Sequence, residues 1–206
     1  IEGANSPSDI LITADIGNLY EAKERDLLQG VSSKVLEKNI PAHLRDEGGK
    51  WFAITKRARL FVYNPKTINP AHLDDYFSLT KPEFKGKVIT RSSTNAYNKS
   101  LLASIIAHHG EEKSLEFVKG LVNNFARDPK GADKDQIRAV ASGEADIAIV
   151  NSYYLGVMAN SGDKVDEEIA KEVKVFCPAE KTTGAHINIS GAGITKFAPN
   201  KENAIK

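Results

Sequence analysis

Two adjacent tyrosines follow a run of apolar residues, and their side chains could take part in ligand chemistry. Tyr153 and Tyr154 come directly after residues 146–150, a segment typical of a buried strand. At a turn from strand to helix the alternation of side chains breaks, so both rings can reach one cleft. A deprotonated phenol is a hard oxygen ligand, and a trivalent metal ion would supply the field that removes its proton. The alternative is that both rings pack in a core, as tyrosines commonly do.

A third tyrosine occupies a similar place in the chain. Tyr97 lies in the polar stretch 92–98, between a predicted strand at 87–90 and a predicted helix. In α/β sheets ligands bind beyond the carboxyl ends of strands, so residues 13–15, 91–97 and 151–154 are candidates for a site. The serine, threonine and asparagine side chains before Tyr97 would most simply cap the helix. They could also present hydroxyl and N–H groups to an anion.

Three cations stand close together at Lys56, Arg57 and Arg59, next to the apolar residues 60–62. Strand alternation places Arg59 on the face opposite Leu60, so we expect one guanidinium to turn inward. The other two cations are expected to be solvated. A buried arginine needs an anionic partner, and its planar fork suits a carboxylate, a carbonate or a phosphate.

Other familiar motifs are incomplete. His108 and His109 end a predicted helix, where adjacent side chains diverge by about 100° and do not chelate one ion together. The Gly-Ala-Gly segment at 191–193 lacks the third glycine of a nucleotide loop, and Gly184 and Gly191 are expected to allow close backbone packing. The sequence has no His-Glu-x-x-His pattern and no serine nucleophile elbow.

The elements that must position these side chains alternate between strands and helices. Asn18 and Asp133 are expected to be helix N-caps, and Gly143 a C-terminal stop. The alternation indicates α/β architecture with parallel or mixed sheets, and the helices between residues 90 and 142 favour two lobes. Strands are predicted at 9–13, 51–54, 59–63, 87–90, 146–150, 173–177 and 186–189, and helices at 18–29, 32–39, 70–76, 99–109, 111–124, 134–142 and 152–159.

The composition argues against several classes of protein. The 206 residues carry 28 lysines and arginines against 27 aspartates and glutamates, so no basic excess points to nucleic-acid binding. The single cysteine, Cys177, excludes an intramolecular disulfide framework and a zinc site built from several thiolates of one chain. The longest apolar runs fall far short of the roughly 20 residues that a membrane-spanning helix needs. The first residues lack the pattern of a signal peptide, so we interpret the sequence as a mature or truncated chain.

The tyrosine pair within residues 151–154, together with Tyr97 after a Ser-Ser-Thr-Asn stretch, resembles the periplasmic ferric-ion-binding proteins. These are the substrate-binding components of bacterial ABC iron importers. The resemblance runs along the whole chain, and its most specific feature is a Tyr-Tyr pair after an Ala/Ile/Val strand. Further matching segments are the early strand at 9–13, the crossover segment at 51–64 and the start of a helix at 131–136.

The resemblance implies a type II periplasmic-binding-protein fold, in which two α/β lobes joined by crossover strands close over Fe³⁺. Tyr97, Tyr153 and Tyr154 match the tyrosinate ligands of the three-tyrosine branch of the family. Ala14 stands where some members have a glutamate ligand, which also favours that branch. Independently of the resemblance, three phenolates would neutralise the three charges of Fe³⁺.

The resemblance also implies a synergistic anion, carbonate or bicarbonate, beside the metal ion. Arg59 matches the arginine that holds this anion, and Asn151 lies where other members contact it. Asp15 lies near the acidic ligand of the first lobe and is expected to belong to the anion site or to the surroundings of the metal ligands. The implied function is extracytoplasmic, periplasmic binding of ferric iron by a monomer that delivers it to an ABC permease, without enzymatic activity or stable membrane insertion.

Compared with the family, the chain is expected to have an incomplete first lobe, formed by residues 1–60 and 182–206, and a whole second lobe, 61–181. The second lobe would then carry all three tyrosines. Two alternatives stay open. The chain could be a solute-binding protein for another small ligand, such as an anion, a polyamine or a thiamine-like molecule. It could also be an α/β enzyme that uses Tyr153 or Tyr154 as a general acid and Arg59 as an anion clamp.

Overall fold

The computed structural model describes residues 3–206, and the first two residues lie outside it. The predicted α/β class is confirmed. The strands are β1 (Ile10–Ala14), β2 (Leu28–Gln29), β3 (Phe52–Tyr63), β4 (Val88–Ile89), β5 (Ile147–Asn151), β6 (Lys174–Phe176) and β7 (Ile187–Thr195). The α-helices are α1 (Ile16–Glu24), α2 (Lys34–Asn39), α3 (Ala96–Asn123), α4 (Asp133–Ser142), α5 (Tyr153–Ala159), α6 (Lys164–Glu172) and α7 (Lys201–Ile205). None of the helices in residues 3–206 is long and apolar enough to cross a membrane.

Several predicted element boundaries change. The two strands predicted at 51–54 and 59–63 are one continuous strand, β3, because the cations between them keep an extended backbone. The predicted break at Gly110 is confirmed, since this residue has φ 79° and ψ 168° and divides α3 into two helical arms. Gly143 ends α4 in the left-handed conformation, as predicted.

Both predicted N-caps are wrong, the first by three residues and the second by one. Asp15, not Asn18, caps α1, and its carboxylate accepts a 3.0 Å hydrogen bond from the N–H of Gly17. Helix α4 begins at Asp133 itself, and the N–H of Ala132 donates to the carboxylate of Asp135 at 2.8 Å. The side chain of Asp133 is therefore available for contacts outside the helix terminus.

The chain forms two compact units and passes from one to the other within β3 and within β7. Among the described residues, the first unit comprises 3–56 and 188–206, and the second comprises 57–187. The lobe limits predicted from the sequence, 1–60, 61–181 and 182–206, stay a prediction.

In the first unit, β1 and β2 both pair antiparallel with β7. Its core consists of the buried side chains Leu19, Ala22, Leu28, Trp51 and Ile189. Gly191 was predicted to allow close backbone packing, and this is confirmed. A Cβ atom there would lie 2.7 Å from the carbonyl oxygen of Phe52 and 2.7 Å from Leu19 Cδ1. The same prediction is wrong for Gly184, which lies in the second unit, has open space around its Cα and instead takes a positive φ of 78°.

In the second unit, β5 lies between β4, to which it is parallel, and β3, to which it is antiparallel. On its other edge β3 pairs antiparallel with β6. All five residues of β5 are buried, because apolar clusters cover both faces of this strand. A buried central strand with fixed neighbours gives a rigid base for the residues that follow its carboxyl end, and these include Tyr153 and Tyr154.

Candidate functional site

The tyrosine pair lies at the turn from β5 to α5, as predicted. Tyr153 and Tyr154 are the first two residues of α5, and their ring centroids are 4.2 Å apart with an angle of 31° between the planes. Tyr153 is 41% exposed, whereas Tyr154 is half-buried against the apolar cluster that includes Met158. One ring is therefore anchored by packing, and the other is presented to solvent beside it.

Tyr97 joins this pair. It is the second residue of α3, and Asn95 caps the helix by accepting a 3.0 Å hydrogen bond from the N–H of Tyr97. The side chains of Tyr154 and Tyr97 both lie close enough to the hydroxyl of Tyr153 for hydrogen bonding to influence its pKa. The structure thus brings together the three phenols that the sequence singled out, from the ends of two different strands.

The phenol of Tyr153 resists losing its proton while no cation is present. Burial, followed by the hydrogen bonds to Tyr154 and Tyr97, raises the pKa of Tyr153 above its ordinary value of 10.0. A phenol in this state is neutral at physiological pH. A metal ion that binds through its oxygen must therefore displace a proton.

Three guanidinium groups surround the ring of Tyr97. The Cζ atoms of Arg57, Arg91 and Arg59 lie 5.2, 5.3 and 5.8 Å from its centroid. The prediction that Arg59 turns inward is confirmed, because its side chain is 1% exposed. The prediction that Arg57 is solvated is wrong, because it is only 7% exposed. The two arginines are two positions apart on β3, so strand alternation places both on the same face.

Arg59 is held by several polar partners. Its Nη1 donates to a carboxylate oxygen of Asp133 at 2.6 Å, and its Nη2 donates to Asn98 Oδ1 at 2.6 Å. Asn151, directly opposite Arg59 in the β3–β5 pair, accepts a longer hydrogen bond of 3.4 Å from Nη1. Burial lowers the pKa of Arg59, and the charge of Asp133 opposes this effect, so the guanidinium stays protonated at neutral pH.

Two buried N–H donors of this group of side chains lack a hydrogen-bond partner among residues 3–206. They are Arg59 Nε and Asn151 Nδ2. Buried N–H groups in proteins are nearly always hydrogen-bonded, so these two donors indicate a place where an anion or water can bind. This observation agrees with the predicted anion role of Arg59 and Asn151, which itself stays a prediction.

Asp133 was not identified as a site residue from the sequence, whereas Arg91 lies in the candidate stretch 91–97 but was given no role there. Asp133 is completely buried, and its second oxygen accepts a 2.8 Å hydrogen bond from Arg91 Nη1. The first oxygen, which binds Arg59, also accepts from the backbone N–H of Asn151 at 2.8 Å. The sequence held little signal for this network, since Asp133 is 74 residues from Arg59 and 42 from Arg91.

Asp15 belongs to the first unit, and the structure describes it there. Its side chain is 3% exposed, its φ is 84°, and its carboxylate accepts from Asn188 Nδ2 at 2.8 Å as well as from Gly17. The carboxylate therefore has a structural role as the cap of α1. Its predicted contribution to the anion site or to the surroundings of the metal ligands stays a prediction.

The chemistry of the donor set favours a hard cation. Within residues 3–206, no three His, Cys, Asp or Glu side chains lie close enough together to hold a metal ion. The oxygen donors that do converge are the phenols of Tyr97, Tyr153 and Tyr154. Oxygen ligands suit hard metal ions, whereas thiolates suit soft ones.

Comparison with known proteins gives consistent matches over nearly the whole chain. A family model described as "Bacterial extracellular solute-binding protein" matches residues 5–206. The chain is 48% identical, over 205 residues, to "Iron uptake protein A1" from Synechocystis, of which it covers 57%.

Two solved structures resemble the fold closely. A ferric binding protein from Campylobacter jejuni has 50% sequence identity and a TM-score of 0.94 over 98% of the chain. A Trichodesmium protein in complex with iron and citrate ligands has 46% identity and a TM-score of 0.94 over 99% of the chain. The chain spans 65% of each of these two proteins.

Proposed function

The chain belongs to the family of bacterial extracellular solute-binding proteins, and from this premise we propose that it binds ferric iron for uptake by an ABC importer. The proposal includes a periplasmic location, a monomeric state and delivery of the ion to a membrane permease. The relatives named as iron uptake and ferric binding proteins support the choice of cargo. No enzymatic step is proposed, because binding and release of an ion require no covalent chemistry.

The observation that carries the proposal is the convergence of three phenol oxygens. The phenols of Tyr154 and Tyr97 both lie close to that of Tyr153, so one ion bound among them could take the place of their protons. Three phenolates would carry three negative charges and balance Fe³⁺. Each must release a proton when iron binds, so acid should favour release of the ion.

A synergistic anion would complete the coordination. We propose carbonate or bicarbonate, held by Arg59 and Asn151 through the donors Nε and Nδ2 that have no partner among the described residues. The guanidinium fork suits a planar carbonate. The Trichodesmium relative was solved with citrate as well as iron, which supports a place for a carboxylate or carbonate anion in this family.

The same charges argue against one alternative cargo. Arg57, Arg59 and Arg91 lie within 6 Å of the Tyr97 ring, and Asp133 supplies a buried negative charge beside them. A polyamine carries only positive charge and would be repelled by this excess of guanidinium groups. Fe³⁺ would be balanced by the phenolates that form in the site as it binds, and the guanidinium groups would hold the accompanying anion, so the site favours ferric iron over a polyamine.

The test is the visible spectrum of the protein after addition of Fe³⁺ and bicarbonate. We expect a charge-transfer band from phenolate to iron, which gives an orange-red protein. The band should vanish in the double variant Tyr153→Phe/Tyr154→Phe. If the folded wild-type chain shows no band at stoichiometric iron, the proposal is wrong.

A further inference from the structure

We propose that Asp133 is a positioning residue that holds the tyrosine-bearing segments and the arginines of the site in one arrangement. The inference rests on the proposed function, because it concerns the same site. Asp133 touches none of the three phenols in the contacts described above. It acts through the segments that carry them.

The carboxylate of Asp133 connects three elements of the second unit. One oxygen binds Arg59 on β3 at 2.6 Å and the N–H of Asn151, the last residue of β5, at 2.8 Å. The other oxygen binds Arg91, in the loop after β4, at 2.8 Å. Asn151 is two residues before Tyr153, and Arg91 is six residues before Tyr97. One side chain therefore sets the distance between the two strand ends that deliver the tyrosines.

The loop that carries Arg91 is fixed to the start of α3 by a second contact. Asn98 Nδ2 donates to the carbonyl oxygen of Arg91 at 2.7 Å, and Asn98 Oδ1 accepts from Arg59 Nη2 at 2.6 Å. A displacement of Arg91 would therefore be transmitted to Asn98, which is the neighbour of Tyr97. The hydrogen bonds give a continuous path from Asp133 to both tyrosine-bearing segments.

Stability alone is a weak reason for this arrangement. A buried ion pair often contributes no more to stability than well-packed apolar side chains of similar volume, since both charges lose their hydration. The charged groups instead fix the orientation of their neighbours. Asp133 orients two guanidinium groups, and both lie within 6 Å of the ring of Tyr97. Because one carboxylate faces two guanidiniums, positive charge remains beside the phenols and would stabilise phenolates as they form.

Asp133→Asn tests the inference, with Asp166→Asn as a matched control. Asp166 is also buried in the second unit, at 4% exposure, and its carboxylate accepts from Arg138 at 2.9 and 3.0 Å and faces Lys134 at 3.6 Å. It differs in having no contact with the tyrosine-bearing segments among those described. Both variants replace a buried, paired carboxylate by an amide of the same shape.

Two readouts separate positioning from general destabilisation. In Fe³⁺ titrations with bicarbonate, against citrate as a competing chelator, we expect Asp133→Asn to weaken binding by about 10–100-fold and to shift the visible band. In the metal-free 206-residue chain, Asp133→Asn should also change the NMR chemical shifts of the isotope-labelled rings of Tyr97, Tyr153 and Tyr154 relative to the wild type. Asp166→Asn should leave the band and these signals in place.

The outcomes are distinguishable. If the wild-type chain binds no iron, the proposed function fails, while the tyrosine signals still decide whether Asp133 positions the rings. If iron binds equally well, with the same band and the same tyrosine signals in Asp133→Asn, the inference is overturned and the proposed function stands. Should Asp133→Asn not fold, Arg91→Gln removes one arm of the network at a partly exposed position and should move the same signals. Unchanged signals in that variant would overturn the inference.

Discussion

The hydroxyl of Tyr76 donates a 2.7 Å hydrogen bond to the carbonyl oxygen of Arg59 and accepts one of 3.0 Å from the N–H of His186. The main chain of Arg59 is thus fixed by a buried tyrosine, while its side chain points to the three-tyrosine site. Burial raises the pKa of Tyr76, so its phenol stays protonated as a donor. The second unit therefore contains tyrosines with different roles, and composition alone does not separate them.

Tyr97→Phe should mainly affect iron binding, whereas Tyr76→Phe should mainly affect the stability of the fold. Tyr97→Phe removes one of the three converging oxygens, so we expect weaker iron binding and an altered visible band with little change in stability. Tyr76→Phe leaves the buried carbonyl of Arg59 without its donor and should cost roughly 1–3 kcal/mol of unfolding free energy. Iron titration and urea denaturation of both variants provide the check. An unchanged band in Tyr97→Phe would remove this residue from the proposed ligand set.

Much of the site follows from local sequence patterns. The apolar run before Tyr153 predicted a buried strand, and the rule that ligands bind at the carboxyl ends of strands then selected Tyr97 and the tyrosine pair together. The period of two along β3 placed Arg59 inward. The same alternation places Arg57 on that face as well. The interpretation of Arg57 as a solvated cation did not take this into account.

The remaining features depend on contacts that are distant in sequence. Asp133 was assigned to a helix cap because acidic residues commonly stand at helix starts, and only the folded chain brings it to Arg59 and Arg91. Asn18 and Asp15 lie three residues apart, and both are residue types that commonly cap helices. The hydrogen bond between Asp15 and Asn188 accompanies the cap at Asp15, and it joins residues 173 positions apart.

Two ion pairs of equal length should differ strongly in their contribution to stability. Arg59–Asp133 and Lys66–Glu172 both have an N–O distance of 2.6 Å, but the first pair is buried and the second is exposed. Arg59→Ala should destabilise the protein by roughly 3–5 kcal/mol, because it leaves a buried carboxylate with fewer partners. Lys66→Ala should cause little measurable change, since water screens the exposed pair. Urea denaturation followed by circular dichroism gives both values, and similar losses in the two variants would contradict the burial argument.

Gly191→Ala should destabilise the first unit. Its new methyl group would lie 2.7 Å from a backbone oxygen and 2.7 Å from Leu19, which forces a shift in a packed region. Overpacking of this kind typically costs about 1–3 kcal/mol. Gly156→Ala on α5 is the control, because its added methyl meets no atom within 4 Å and alanine favours a helix. Denaturation followed by the fluorescence of Trp51, a core residue of the same unit as Gly191, should show the loss only in Gly191→Ala.

The stability of the first unit should also depend on pH through Asp46. Burial raises the pKa of this carboxyl, but the hydrogen bond and ion pair with Lys23, together with the N–H groups of Lys50 and Gly48, outweigh it and lower the pKa below 3.8. Because the pKa is lower in the folded state, Asp46 stabilises the fold above the unfolded pKa, and this contribution is lost as the pH falls through the folded pKa.

Asp46→Asn should therefore be less stable than the wild type at pH 7, and the difference should shrink as the pH falls below about 4, the ordinary range of an unfolded aspartate. The fluorescence of Trp51 is a suitable probe, since the N–H of Asp46 donates to the carbonyl oxygen of Trp51 at 3.0 Å and the indole is buried in the same unit. Glu172→Gln serves as the control because this exposed carboxylate belongs to the second unit. It should leave the Trp51 transition unchanged at either pH. A stability difference for Asp46→Asn that stays constant from pH 7 to pH 3 would mean that shape and hydrogen bonding, rather than the charge of Asp46, hold this loop.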